Sequence, residues 1–225
     1  MSTTLFTDKM FRKSLFALFA ITLVCCGSQP TRKKSKMTMN ENIQTEKLDT
    51  AILGGGCFWC LDAVYRRMKG IVSSESGYAN GNIKNPTYRE VCSGLTGHAE
   101  VVKLVFDTSI TSFAEVLEVF WRIHNPTTLN RQGNDVGTQY RSGIYYLNEQ
   151  QRDLAMKSRD AVKESQLWEG DIITEIVPLN AYYPAEDYHQ DYYSINPDQP
   201  YCVYVVGEKV EKFKKAFKDK VRGNE

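Results

Sequence analysis

The apolar positions of this chain alternate between two periods, and the switches between them mark out its elements. The stretch "TAILGG" (50–55) is a short apolar run closed by glycines and predicts a buried strand. In "CFWCLDAVYRRMK" the residues Leu61, Val64, Tyr65 and Met68 recur at helical spacing, so a helix is predicted to start at the cysteines. "GIVSSESGYANG" reads as a strand that ends in a turn at Asn80-Gly81, and "HAEVVKLVFD" alternates as a strand does. "SFAEVLEVFWRIHN" predicts a helix capped by Thr111 or Ser112, with Glu115 in its first turn and Pro126 beyond its end. A strand in "RSGIYYL", an amphipathic helix over 148–166, a strand in "DIITEIVPL" and a short helix after Pro184 follow. "YCVYVV" (201–206) alternates and is expected to be a strand, ahead of a basic closing helix in "KVEKFKKAFKDKV". Without a regular βα repeat, this order predicts an α+β fold rather than a doubly wound sheet.

The first 47 residues follow neither period. Lys9, Arg12 and Lys13 precede "SLFALFAITLV", an apolar run of 11 residues, which suits a signal peptide and is short for a membrane span. "LVCCGS" then resembles the lipobox of bacterial lipoproteins. With Leu23 three places before it, Cys26 is the expected lipidated residue, so 1–25 would be removed and the protein held at the periplasmic side of the bacterial envelope. Residues 26–47 are polar and charged and read as a flexible tether to a domain over 48–225.

Charge sharpens this division. Residues 1–47 carry eight Lys or Arg against three acids, which leaves 20 basic and 24 acidic residues for the rest of the 225-residue chain. A mildly acidic domain gives no footprint for nucleic acid. Mean hydropathy of −0.42 also argues against a polytopic membrane protein.

Candidate chemistry sits at the first strand-to-helix turn, "GGGCFWC". A thiol at a helix N-terminus faces free N–H groups, which favour the thiolate, and the glycines ahead of it allow a sharp turn. Cys57 is therefore the candidate nucleophile, and Cys60, one helical turn on, its redox partner. Phe58 and Trp59 between them offer an apolar pocket for a small uncharged group. Cys92 and Cys202 stand singly, and Cys92 is expected to be a small buried hydrophobe. The three histidines (His98, His124, His189) are too scattered for a zinc site, and no metal or organic cofactor is implied.

Three more stretches, "NPTYREVCSGLTGHAEVV", "RQGNDVGTQYRSGIYY" and "YYPAEDYHQDYY", join "GCFW" in order. Together they closely resemble the A-type peptide methionine sulfoxide reductases, over about residues 50–206. The resemblance implies a ferredoxin-like α/β sandwich with a mixed sheet and flanking helices. It also implies reduction of the S epimer of methionine sulfoxide, in proteins or as the free amino acid. Residue by residue, it makes Cys57 the nucleophile and Glu100 the carboxylic acid, which burial among aromatics would keep protonated. Tyr88 and Tyr140 match the phenols that hold the sulfoxide oxygen, and Asp135 the polar residue that orders the site, with Phe58 and Trp59 beside the substrate. Glu186, Tyr188 and His189 match a segment at the pocket rim, for which packing is an equally good account.

Many family members carry Gly where this chain has Cys60 and draw resolving cysteines from a C-terminal tail. The tail here, "GEKVEKFKKAFKDKVRGNE", has none, so Cys60 is expected to resolve the sulfenic acid, with Cys202 as the alternative. A thioredoxin-like protein is the expected reductant, and a monomer the expected state. Two other readings stay open: a general thiol–disulfide oxidoreductase of the envelope, which would not need Glu100, and an anchored binding module for methionine-bearing peptides, which would not need Cys57.

Overall fold

The computed structural model describes residues 47–223. Strand β1 (Leu48–Gly55), helix α1 (Phe58–Arg66) and strand β2 (Ile71–Ala79) open the domain. Helix α2 (Tyr88–Cys92) and strand β3 (Ala99–Asp107) follow, then helix α3 (Phe113–Ile123). Next come a small ribbon of β4 (Arg131–Gln132) and β5 (Asp135–Val136), then β6 (Ser142–Tyr146) and α4 (Glu149–Glu164). The chain closes with β7 (Glu175–Pro178), β8 (Tyr182–Pro184), α5 (Tyr192–Ile195) and α6 (Gly207–Ala216).

Six strands form one sheet in the order β7-β6-β1-β3-β2-β8. Its middle four strands, β6-β1-β3-β2, are antiparallel neighbours built from two βαβ halves, which is the ferredoxin-like arrangement. β7 adds a parallel edge to β6, and β8 an antiparallel edge to β2, so the sheet is mixed and the fold is α+β, as expected.

Alternation along the strands builds the core. Ala51 and Leu53 of β1 and Val102, Leu104 and Phe106 of β3 point into the main apolar cluster with α1, α3 and α6. Ile52, Ala99 and Val101 point the other way, into a smaller cluster with Tyr145. Of the two caps expected for α3, Ser112 is the one used: its hydroxyl accepts from the Glu115 N–H while Glu115 reaches back to the Ser112 N–H, a capping box. The buried Asp62 carboxylate accepts from Arg66 Nε at 2.8 Å, and the same guanidinium donates to the Ser74 carbonyl, which ties the end of α1 to β2.

The run "YCVYVV" is not a strand. Residues Cys202–Val206 wind as a π-helical turn that continues into α6. Cys202, Val206, Val210 and Phe213 are buried on one side, while Val203 and Tyr204 are exposed, so the operative period is helical. Six residues are too few to separate the two periods when apolar side chains fall on both. Asn80 adopts a left-handed conformation (φ 56°) as the predicted turn requires, and its amide bridges to the β7–β8 connection.

Candidate active site

The site forms where β1 delivers the chain to α1. Gly56 has φ +91°, and a Cβ there would lie 2.5 Å from the Gln132 side chain, so only glycine can make this turn. Gln132 is itself fixed by two bonds to the Asn125 backbone, accepting from its N–H and donating to its carbonyl. Cys57 then occupies the N-cap of α1, without a side-chain cap bond of its own. The sulfur is more covered than the glycines suggested, with Cys57 only 7% exposed.

Glu100, on the neighbouring strand β3, is 1% exposed. Its Oε2 accepts the Phe58 N–H at 3.1 Å, one of the free donors at the start of α1. Burial pushes its carboxyl up to about 8, against the lowering effect of that bond. A carboxylic acid is thus held protonated at neutral pH against the same helix terminus that carries Cys57. Tyr88 and Tyr140 are half-buried close enough for the Glu100 charge to act on both, and burial raises their phenols further. Both tyrosines pack against the apolar cluster that contains Cys57 and Phe58.

Cys60 is fully buried one turn below Cys57. The two thiols lie close enough for each to act on the other's proton. Burial pushes the Cys57 thiol up. The hydrogen bond from Cys57 and the charge of Lys209 bring Cys60 down to about 7 against the opposing effect of burial. Tyr201 hydroxyl lies 4.0 Å from Cys60 Sγ and donates to Asp135 Oδ2 at 2.6 Å. Asp135 is thereby linked to the thiol pair through a tyrosine to which sequence reasoning gave no role. Cys202, the alternative partner, is fully buried in the main core.

Aromatic rings close the other side. Trp59 stacks on Tyr192 with centroids 3.7 Å apart and planes at 7°, and meets Tyr201 edge-on at 5.9 Å. Phe58 lies 6.4 Å from Tyr88 and 5.1 Å from His189. His189, 2% exposed, packs on Trp59 and Tyr88 as well, and neither ring nitrogen has a hydrogen-bond partner among the described residues. Burial shifts this imidazole toward its neutral form. Glu186 does more than pack: its carboxylate accepts the Tyr88 N–H and the Tyr78 hydroxyl, each at 2.8 Å, and so pins the start of α2. Tyr188 is largely exposed at the rim against the His189 ring.

Cys92 departs from expectation. It is exposed at the end of α2, one turn from Tyr88, with which it shares a hydrogen bond, rather than buried as a small hydrophobe. Tyr192 and Tyr201 are the residues that the sequence left without a role. Tyr192 lies inside "YYPAEDYHQDYY" and Tyr201 opens "YCVYVV", but a ring in an apolar pattern reads first as core. Among the described residues no group of three or more His, Cys, Asp or Glu is placed to hold a metal ion.

A thiol pair, a protonated buried carboxyl and two phenols around an aromatic wall suit reduction of a small sulfoxide. The sequence model for peptide methionine sulfoxide reductase matches residues 49–221. The chain belongs to that family. The peptide methionine sulfoxide reductase of Saccharolobus solfataricus is 52% identical over 179 residues, covering 79% of this chain and 99% of the relative. That of Nautilia profundicola is 54% identical over 165 residues, 73% of this chain and 94% of the relative. Among solved structures, reduced Mxr1 of Saccharomyces cerevisiae shares 35% identity at a TM-score of 0.64, covering 69% of this chain and 90% of its own. Methionine sulfoxide reductase A of Corynebacterium diphtheriae shares 38% identity at a TM-score of 0.61, covering 67% of this chain and 76% of its own. The protein is accordingly an oxidoreductase of the peptide methionine sulfoxide reductase class.

Proposed function

We propose that this reductase acts on the S epimer of methionine sulfoxide, in proteins and as the free amino acid, with Cys57 as nucleophile and Glu100 as acid. The observation that carries the assignment is the Glu100 carboxyl, pushed up to about 8 and bonded to the N–H of the residue after Cys57. The sulfoxide methyl packs against Phe58 and Trp59, and its oxygen meets Glu100, Tyr88 and Tyr140. Methyl, oxygen and side-chain stem then have fixed places in a chiral pocket, so one configuration at sulfur reacts; the likeness to A-type enzymes makes it S.

The Cys57 thiolate adds to the substrate sulfur while Glu100 protonates the oxygen. The hydroxyl then passes from the substrate sulfur to Cys57 as the bond between the two sulfurs breaks; methionine leaves with an electron pair on its sulfur, and Cys57 remains as a sulfenic acid. The Cys60 thiol then condenses with it, forming the S–S bond and releasing water. A thioredoxin-like dithiol reduces the disulfide by exchange, is itself oxidised, and restores both thiols.

A general disulfide oxidoreductase would have no use for a protonated buried carboxyl, which is why the first reading is preferred. The test is turnover of the separate S and R epimers with a dithiol reductant. Turnover of S alone supports the proposal, and equal rates on both, or none on either, would refute it.

We also propose a location at the bacterial envelope through lipid on Cys26. What supports it is the sequence "LVCCGS" after an apolar run, which lies outside the described residues.

A further inference from the structure

Beside the thiol pair lies a cavity of about 270 Å³ that shares two walls with the catalytic centre, Asp135 and Tyr201. Asn134, Tyr204, Glu208 and Lys209 are among the residues that line the rest of it. We propose that this cavity is a subsite for a residue flanking methionine sulfoxide in a polypeptide, and that it takes an apolar side chain in preference to an acidic one. The proposal rests on the sulfoxide reductase reading above and extends it from the reacting side chain to the chain that carries it.

Three observations converge. The first is continuity. Tyr201 bonds to Asp135 and approaches Cys60, so one face of this tyrosine belongs to the reacting centre while the cavity opens beside it. A polypeptide with its sulfoxide at Cys57 has neighbouring residues that pass this wall, whereas free methionine sulfoxide has none.

The second is size. A volume of about 270 Å³ falls just short of the roughly 300–1,000 Å³ usual for whole small-molecule sites. It suits one or two side chains.

The third is the lining. Tyr204 is 72% exposed, while Cys202 and Val206 on the same turn are fully buried, so the turn commits one flank to the core and presents a large aromatic at the cavity. Tyrosine held in that way gives contact area at low conformational cost. Two carboxylates, Asp135 and Glu208, face one cation, Lys209, across this lining, so an acidic side chain is disfavoured there.

The experiment compares two substrates on the full-length protein: free S-methionine sulfoxide, and a short blocked peptide with Leu beside the S-sulfoxide. Removing a contact of this kind with Tyr204→Ala should raise KM for the peptide about three- to tenfold. Both constants for the free amino acid should stay unchanged, as should the folded spectrum. Replacing the peptide's Leu with Asp should raise KM on the native enzyme and narrow the gap between native and variant. An unchanged peptide KM in Tyr204→Ala, or equal damage to both substrates, would overturn the subsite. So would unchanged peptide kinetics with slowed recycling by thioredoxin, which would assign the cavity to the reductant. Failure of the native enzyme on free S-sulfoxide would instead refute the underlying activity, so the two failures are distinguishable.

Discussion

At the scale of single residues, Glu100 shows function set against stability. Its folded pKa of about 8 lies above the usual carboxylate range, because burial disfavours the charge. Between about pH 4.5 and 8 the unfolded chain has released this proton while the folded chain keeps it, so the folded state binds more protons and stability falls as pH rises through that window. The cost approaches about 3 kcal/mol at neutral pH as an upper bound. Glu100→Gln keeps the acceptor for the Phe58 N–H but carries no transferable proton. Turnover should fall roughly 10²–10⁴-fold, and Tm should rise, more at pH 7.5 than at pH 5. A loss under about threefold, or a Tm gain independent of pH, would show that Glu100 is not the protonated acid. The native pH profile should decline above about 8, as the acid is lost. The two candidate resolving thiols separate as cleanly. Cys60 lies in the first turn of the helix that Cys57 caps, whereas Cys202 is buried in the core beside the final helix. Cys60→Ser should release one equivalent of methionine in a single turnover and then stall with thioredoxin, while Cys202→Ser should recycle. Recycling in the first variant and its loss in the second would make Cys202 the resolver.

The elements show what a sequence can disclose. Glycines before Cys57 could be read as a turn, but the reason Gly56 is obligatory lies 76 residues on, in Gln132, whose side chain fills the space a Cβ would need. No local pattern encodes that contact. Gly56→Ala therefore meets both a left-handed backbone and the Gln132 side chain. It should cost about 1–3 kcal/mol in denaturant unfolding and lower kcat through misplacement of Cys57. Combination with Gln132→Ala should relieve the steric part, and an innocuous Gly56→Ala would mean that the turn is not so constrained. The strands of the central sheet were legible because one residue in two must be buried on each face. "YCVYVV" was not, since its burial repeats at i, i+4 and i+8 and becomes visible only when Val210 and Phe213 are counted with it. Cys92 was misjudged for a related reason: a five-residue helix has too few positions to show which side faces the core. The acid, phenols and thiols were legible through resemblance, whereas Tyr201 and Tyr192 act through contacts between distant segments.

For the whole molecule, the described domain carries every residue assigned to chemistry, and none of its helices is long and apolar enough to cross a membrane. The attachment proposed above rests on the first 46 residues, which lie outside the described ones. Their sequence offers a basic start, an 11-residue apolar run and then Cys25-Cys26. One myristoyl-length chain holds a protein only marginally, whereas two or more acyl chains anchor it stably. The diacylglyceryl cysteine of lipoproteins would therefore suffice by itself. A polar stretch over 27–47 would then separate that anchor from a mildly acidic domain that gains little from anionic headgroups. Since Cys57, Glu100 and Cys60 lie wholly within the domain, attachment and catalysis should be separable. Cys26→Ala should move the protein out of the membrane fraction or leave its signal uncleaved, with kcat and KM of the isolated enzyme unchanged on S-methionine sulfoxide. Mass spectrometry of the native protein should find Cys26 as a lipidated first residue. A Cys26→Ala protein that is processed normally and still sediments with membranes would remove the lipoprotein reading and leave the catalytic assignment intact.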